Sequence, residues 1–315
     1  MTKQWFLYGF GLLGPVTFAY DAPFGRFSTP HSVLSVDGIK SWIVMELVSP
    51  LSFLVTAYLH PFSPTPLPLP SFSSRHAFGI KPPLILTALY LIHYFNRALI
   101  SPLRSPSRSK SHLVVVASGM AFNVPNGFLL AAHLTSASTA AHLTQNGGLS
   151  SPRFWTGIAL WATGFVGNVY HDEILLNIRR KAIAKGKAKE LENGQPARQP
   201  HYAIPHGGLF SIVSFPNYFC EWVEWFGFAL AASPIPDFAL LPGVEALLAA
   251  ASGAQFTEIG RLLAPFVDSV SPPWVFFFVE ITTMVPRAVR GHRWYHQRFK
   301  ESYPRERRAV IPWLL

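Results

Sequence analysis

The chain has 315 residues and a formal net charge of +10, with 50% hydrophobic residues but only 13% charged residues. Soluble domains carry roughly 25% charged residues, so a soluble globule of this size would lack the charge to cover its surface. The 26 Phe, 10 Tyr and 9 Trp exclude a disordered chain, and the single cysteine, Cys220, excludes a disulfide scaffold.

Long apolar stretches follow one another along the whole chain. About seven of them reach the ~20 residues that a transmembrane helix needs. They are 4–20, 39–59, 83–103, 112–135, 154–176, 207–232 and 272–290. The first could be a signal peptide, but it lacks a clean cleavage site and is interpreted as a span. A further apolar stretch, 238–252, is predicted to be interfacial or re-entrant. The sequence predicts an all-α, polytopic membrane bundle of about seven helices that forms one domain over 1–315.

Basic residues concentrate in three segments, 104–111, 177–203 and 287–315. With seven spans all three segments face the same side of the membrane. The positive-inside rule makes that side cytosolic, and the C-terminus with it. An even number of spans would place the basic tail opposite the basic loops, so the charge pattern favours seven.

A few ionisable residues lie inside the predicted spans, where charged groups are costly and often functional. They are Glu46, Arg97, Asp172, Glu173, Glu221, Glu224 and Glu280. Helical spacing puts Asn168, Asp172 and Arg179 on one face. The sixth span carries a second set on one face, Asn217, Glu221 and Glu224. Beside basic loops, these sets suit an anionic, nucleotide-sized ligand; the alternative is interhelical hydrogen bonding that holds the bundle together.

Glu46 and Tyr94 lie in the second and third predicted spans, each among apolar sequence neighbours. A carboxyl group in apolar surroundings is often neutral. A neutral Glu beside a Tyr hydroxyl could donate hydrogen bonds to a substrate carbonyl, in the manner of an oxyanion hole. The alternative is a chance pair that includes a structural Glu, and spacing alone favours that alternative.

Three other patterns are weaker signals. Gly9, Gly11 and Gly14 spell a dinucleotide-binding pattern, but they lie inside an apolar span, where close helix packing explains them better. His292 and His296 lack the further ligands of a zinc site, so no metal is expected. The basic tail favours anionic lipid or a phosphate-bearing cofactor over nucleic acid.

Several ordered motifs resemble those of the steroid 5α-reductases. They are Asn168-Val-Tyr-His-Asp172-Glu-Ile-Leu with Arg179, Tyr202-Ala-Ile-Pro-His-Gly-Gly-Leu-Phe210, Glu221-Trp-Val-Glu-Trp225 and the ending from His292 to Trp313. His93-Tyr-Phe-Asn-Arg97 and the Glu46 segment match more loosely. The resemblance implies a seven-helix enzyme of the endoplasmic reticulum that uses NADPH to reduce the Δ4 double bond of a 3-oxo-steroid.

The same resemblance implies roles for particular residues. Glu46 and Tyr94 match the catalytic pair that binds the C3 ketone. The positions that match the cofactor site are Arg108, Asn168, Asp172, Arg179, Asn217, Glu221, Tyr295 and Arg307. Helices within 1–135 would then face the substrate, while 154–315 would bind NADPH.

Two other functions fit parts of the sequence, and two segments differ in length from the family pattern. Pro216-Asn-Tyr is also similar to the trans-2-enoyl-CoA reductases of fatty acid elongation, and a non-catalytic lipid-binding membrane protein is the second alternative. The segments Lys185–Pro200 and 232–271 are longer than the family usually has. The expected partners are a steroid or other enone lipid and the membrane lipids; neither nucleic acid nor an obligate protein partner is expected.

Overall fold

The structure is a computed structural model, which describes residues 32–59, 81–193, 202–241 and 256–315, with backbone alone for 187–193 and 256–260. Its helices are α1 Gly38–Leu59, α2 Pro82–Phe95, α3 Leu113–Leu134, α4 Ala137–Gln145, α5 Pro152–Asn193, α6 Pro216–Ala232, α7 Phe256–Ser269 and α8 Pro272–Phe299. The strands within the described ranges are β1, Ser35–Val36, and β2, Ser111–His112, which pair antiparallel. The predicted all-α class is therefore confirmed.

Three helices of the described ranges are long and apolar enough to cross a membrane: α1, α3 and the α2 region Pro82–Arg104. A fourth span is possible if α7 and α8, which meet at 118°, count as one broken span. The several apolar helices fit a multi-pass membrane protein. The count of seven stays a prediction, and both the stretch 4–20 and the glycine pattern within it lie outside the described residues.

The sixth predicted span, 207–232, begins too early. Helix α6 starts only at Pro216 and has 17 residues. Gly207 and Gly208 have φ angles of 102° and 53°, which an α-helix does not contain. Pro216 stands in the first helical turn, where its missing N–H needs no partner. Most α6 side chains are buried, so this helix forms the centre of the bundle.

The fifth predicted span, 154–176, is the first part of a longer helix, because α5 continues through 193 without a break. Helices α5 and α6 approach closely at two glycines. A Cβ atom on Gly164 would lie 2.3 Å from the backbone nitrogen of Glu224, and one on Gly157 would lie 2.6 Å from the carbonyl oxygen of Gly227. Small residues therefore set the spacing of these two helices, as is common in membrane bundles.

Helix α2 changes its winding at its C-terminal end. It continues into a π-helical segment, Asn96–Ile100, and one further turn, Ser101–Arg104. The indole N–H of Trp42 donates to the carbonyl oxygen of Arg97 at 3.2 Å. Short π-helical segments often occur at functional sites because they redirect side chains. Here the segment carries Arg97 and is fixed to α1 one turn from Glu46.

The C-terminal tail folds back onto the segment that precedes α6. The backbone N–H of Ser214 donates to the carbonyl of Arg308 at 2.9 Å, and that of Arg308 donates to Ile212 at 2.8 Å. The hydroxyl groups of Ser214 and Tyr303 lie 2.7 Å apart. These bonds fix the tail against the segment that precedes α6.

Candidate active site

A cavity of about 560 Å³ lies among α1, α2, α3, α5, α6 and α8. That volume is within the range of about 300–1,000 Å³ that small-molecule sites occupy. Part of its wall, here called the acid-rich end, carries Glu46, Tyr94, Arg97, Glu221 and Glu280, which interact electrostatically. A second part, here called the arginine end, carries Arg108, Arg179, Arg287 and Arg290. The two parts adjoin, because Arg97 and Arg108 both lie against the ring of Trp42.

The cavity brings together most of the residues that the sequence singled out. Its wall includes Glu46, Tyr94, Arg108, Asn168, Asp172, Arg179, Asn217, Glu221 and Tyr295. Arg307 is not part of that wall. It is buried, its guanidinium lies 5.1 Å from the ring centroid of Tyr303, and its Nε and Nη1 atoms have no hydrogen-bond partner. A role for Arg307 in cofactor binding stays a prediction.

Arg97 organises the acid-rich end. Its Nη1 atom lies 2.8 Å from Oε1 of Glu221, and its Nε atom lies 3.3 Å from Oε1 of Glu46. The expectation that Glu46 has apolar surroundings is therefore wrong. Its sequence neighbours are apolar, but α2 brings a guanidinium to it from another helix. The sequence marks Arg97 in two ways, as an arginine inside an apolar span and as part of a loosely matched motif. Neither observation assigns it a role.

His93 extends this network. Its Nδ1 atom lies 2.7 Å from Oε1 of Glu224, and its Nε2 atom lies 4.0 Å from Oε1 of Glu221. Glu224 is fully buried and, unlike Asn217 and Glu221, does not line the cavity. The three residues predicted to share one face of the sixth span therefore differ in their surroundings. Asn217 and Glu221 line the cavity, whereas Glu224 lies outside the cavity wall and contacts His93.

Tyr94 is held by a buried amide. The Nδ2 atom of Asn126 donates to the Tyr94 hydroxyl oxygen at 2.7 Å and to Ser49 Oγ at 3.0 Å. The phenol oxygen accepts this bond, and Ser49 links the same amide to the hydroxyl of Tyr90 at 2.7 Å. Sequence reasoning missed Asn126; an Asn within an apolar span was the signal that could have found it.

The arginine end places positively charged guanidinium groups near one another. The guanidinium of Arg108 lies 3.7 Å from the ring centroid of Trp42. Burial, together with the neighbouring charge of Arg179, lowers the pKa of Arg108. An anion bound between the two would relieve this repulsion. Nearby, Asn217 Nδ2 donates to Oδ1 of Asp172 at 3.1 Å, which joins α5 and α6 at the cavity wall.

Glu173, which the sequence placed among the ionisable residues of a span, lies outside this wall. Its two carboxylate oxygens lie 2.6 Å from Arg104 Nη2 and 2.6 Å from Arg180 Nη1. Arg180 also donates to the carbonyl oxygen of Arg104 at 3.1 Å. These contacts fasten the connector that carries Arg108 to α5, so Glu173 supports the arginine end from outside.

Comparison with known proteins finds relatives along most of this chain. The sequence model of the family described as 3-oxo-5-alpha-steroid 4-dehydrogenase matches residues 109–258 and 254–315. An uncharacterized protein of Schizosaccharomyces pombe is 35% identical over 305 residues, which cover 96% of this chain and 94% of that protein. The 3-oxo-5-alpha-steroid 4-dehydrogenase 1 of Rattus norvegicus is 30% identical over 294 residues, 93% of this chain and 86% of its own length.

A plant protein is also similar. The steroid 5-alpha-reductase DET2 of Arabidopsis thaliana is 29% identical over 299 residues, which cover 93% of this chain and 87% of that protein. The resemblance inferred from the motifs is thereby confirmed. The chain belongs to the 3-oxo-5-alpha-steroid 4-dehydrogenase family, a family of oxidoreductases that act on CH–CH groups.

Proposed function

We propose that this protein reduces the Δ4 double bond of a 3-oxo-steroid to the 5α-reduced ketone, with NADPH as the hydride donor. The observation that carries the proposal is a cavity whose wall combines the Tyr94 hydroxyl and several carboxyl groups with the four arginines of the arginine end. Membership of the family supports steroid 5α-reduction in general, since relatives along most of the chain bear that name.

The arginine end fits the phosphates of NADPH. A guanidinium binds phosphate oxygens through two N–H groups, and the wall offers four of them, Arg108, Arg179, Arg287 and Arg290. NADPH carries one phosphate more than NADH, so a cavity with this many cations favours NADPH. Asp172 and the amide groups of Asn168 and Asn217 can bind ribose hydroxyls beside the phosphates. Tyr295 adds an aromatic surface at the same wall.

The acid-rich end fits the enone. NADPH held by the arginine end would supply a hydride to the β-carbon of the enone. As negative charge develops on the C3 ketone oxygen, the Tyr94 hydroxyl donates a hydrogen bond to it, and Asn126 holds the Tyr94 oxygen from behind. Glu46 positions Arg97 through their 3.3 Å contact, and Arg97 supplies positive potential toward the developing charge. A proton delivered to the α-carbon completes the saturated ketone.

The proposal includes a location in the endoplasmic reticulum membrane, with the arginine end and the C-terminus facing the cytosol. Two observations support it. Basic residues concentrate in 104–111, 177–203 and 287–315, and such segments face the cytosol in multi-pass proteins. Several helices are apolar enough to cross a membrane. A substrate that dissolves in lipid could reach the cavity from the bilayer.

Product analysis tests the proposal. Membranes that contain the protein are given NADPH with a panel of 4-ene-3-one steroids, sterols and trans-2-enoyl-CoA thioesters, and membranes without the protein serve as the control. We expect NADPH consumption and a 5α-reduced ketone from the steroids. Turnover of enoyl-CoA alone would overturn the steroid assignment, and no turnover of any substrate would favour a non-catalytic lipid-binding protein.

A further inference from the structure

Glu280 is a carboxyl group of the cavity wall that the proposed reaction does not use. It lies on α8, its residue is only 9% exposed, and its Oε2 atom has no hydrogen-bond partner. A buried polar atom without a partner costs free energy, and native proteins rarely leave one unpaired. An unpaired acceptor at a cavity wall therefore points to a donor on the ligand.

The other acids of this end already have partners. Glu46 and Glu221 contact Arg97, and Glu224 contacts His93. No such cation contact is found for Glu280 in the described part of the chain. The nearby hydroxyl of Thr283 donates to the carbonyl of Val279 at 2.8 Å, so it does not supply the missing bond. Of the three carboxyl groups that line this end, Glu46 and Glu221 therefore contact a guanidinium, whereas Glu280 does not.

The position of Glu280 along α8 places it at the acid-rich end. It interacts electrostatically with Tyr94, Arg97 and Glu221. Further along the same helix, Met284 and Arg287 also face the cavity. Since a helix rises 1.5 Å per residue, Arg287 lies about 10 Å further along α8 than Glu280. A ligand that lies along α8 from Arg287 to Tyr94 therefore passes Glu280.

We propose that Glu280 accepts a hydrogen bond from an N–H or O–H group of the bound ligand and thereby selects ligands that carry this donor. The inference rests on the proposed function. Two sources offer the required donor: the carboxamide of the nicotinamide and a hydroxyl group on the steroid. A ligand without the donor leaves the carboxyl group unpaired and binds more weakly, which is how buried polar groups produce specificity.

Ligand pairs that differ by one donor test this inference. The first pair is NADPH and its 3-acetylpyridine analogue, in which a methyl group replaces the carboxamide nitrogen. The Kd of each is measured by calorimetry on the purified protein in detergent, which requires no turnover. The second pair is a 4-ene-3-one steroid that bears a hydroxyl group and its deoxy counterpart, compared by kcat/KM. Each pair is measured for wild type, Glu280→Met and Glu280→Gln.

We expect wild type to prefer the donor-bearing member of one pair by about 10- to 100-fold, because the other member leaves a buried polar group unpaired. Glu280→Met should remove that preference and leave the other pair unaffected. The affected pair identifies the source of the donor. Glu280→Gln keeps the shape and one neutral acceptor, so it should reduce the same preference by several-fold.

The matched control is Glu301→Gln, which removes an exposed carboxyl group far along the tail and should keep both wild-type preferences. Wild-type preferences in Glu280→Met overturn the inference. If that variant does not fold, unchanged preferences in Glu280→Gln overturn it. Absence of steroid turnover by wild type would overturn the proposed function instead, and the cofactor pair would still decide whether Glu280 binds the carboxamide.

Discussion

The Nη1 atom of Arg97 lies 2.8 Å from Oε1 of the buried Glu221, so an ion pair joins the π-helical segment after α2 to α6. The same guanidinium contacts Glu46 through Nε at 3.3 Å and so reaches α1 as well. One cation thus holds acids from two other helices at the end of the cavity where the reaction is proposed.

Replacement of Arg97 should therefore destabilise the protein. Arg97→Leu leaves Glu46 and Glu221 buried without their cation, and breaking a buried pair in this way costs on the order of 3 kcal/mol. We expect a lower Tm in detergent and loss of turnover, with Arg97→Lys intermediate because a single ammonium cannot reach both acids in the same geometry. Arg305→Leu, which removes an exposed pair with Glu301, is the control and should change Tm little. A wild-type Tm for Arg97→Leu would contradict the structural role.

Tyr94→Phe should remove turnover without loss of NADPH binding. The change deletes the hydroxyl that donates to the ketone oxygen, and loss of one such donor lowers kcat by about 100- to 1,000-fold. Steady-state kinetics and NADPH titration measure the two effects separately. Asn126→Ala, which frees the Tyr94 oxygen, should lower kcat less.

Tyr90→Phe is the matched control for that experiment. Its hydroxyl is also buried and lies 2.7 Å from Ser49 Oγ, but Tyr90 is not part of the cavity wall. We expect a much smaller loss of kcat for this variant than for Tyr94→Phe, because Ser49 links Tyr90 only indirectly to the amide that holds Tyr94. Equal rates for Tyr94→Phe and wild type would remove Tyr94 from the proposed mechanism.

Arg179→Ala should weaken cofactor binding in particular. Loss of a charged hydrogen bond to phosphate raises the Kd of NADPH by about 10- to 100-fold. A parallel titration with NADH identifies the phosphate: an effect confined to NADPH indicates the 2′-phosphate, and equal effects indicate the pyrophosphate. Arg298→Ala, on the exposed surface of α8, should retain wild-type affinity. The assignment fails if Arg179→Ala binds NADPH as tightly as wild type.

Gly164→Ala should separate α5 from α6. The added Cβ atom would lie 2.3 Å from the backbone nitrogen of Glu224, and overpacking of this kind typically costs about 1–3 kcal/mol. Because Asp172 and Asn217 meet across this helix pair, we expect a lower Tm and weaker NADPH binding. Ala162→Val adds volume on the exposed face of α5 and should leave both unchanged. An unaltered Tm in Gly164→Ala would mean that the two helices are not in close contact there.

Much of the site could be predicted from the chain because its signals are local. Asn168, Asp172 and Arg179 were placed on one face by helical spacing alone, and all three line the cavity. The start of α6 was predicted less well, because hydrophobicity continues through 207–215 although the backbone at Gly207 and Gly208 does not. Apolar composition reports burial, whereas a helix boundary depends on backbone dihedral angles.

The sequence by itself determined the all-α membrane class, the family and the set of polar residues inside apolar helices, since composition, periodicity and ordered motifs are properties of the chain. The tertiary structure decided which of those residues meet. Arg97 next to Glu46, Asn126 behind Tyr94, Arg307 away from the cavity and Glu280 without a partner all depend on how helices distant in sequence rotate and cross. Periodicity along one helix fixes which residues share a face, but not which face of another helix they will contact.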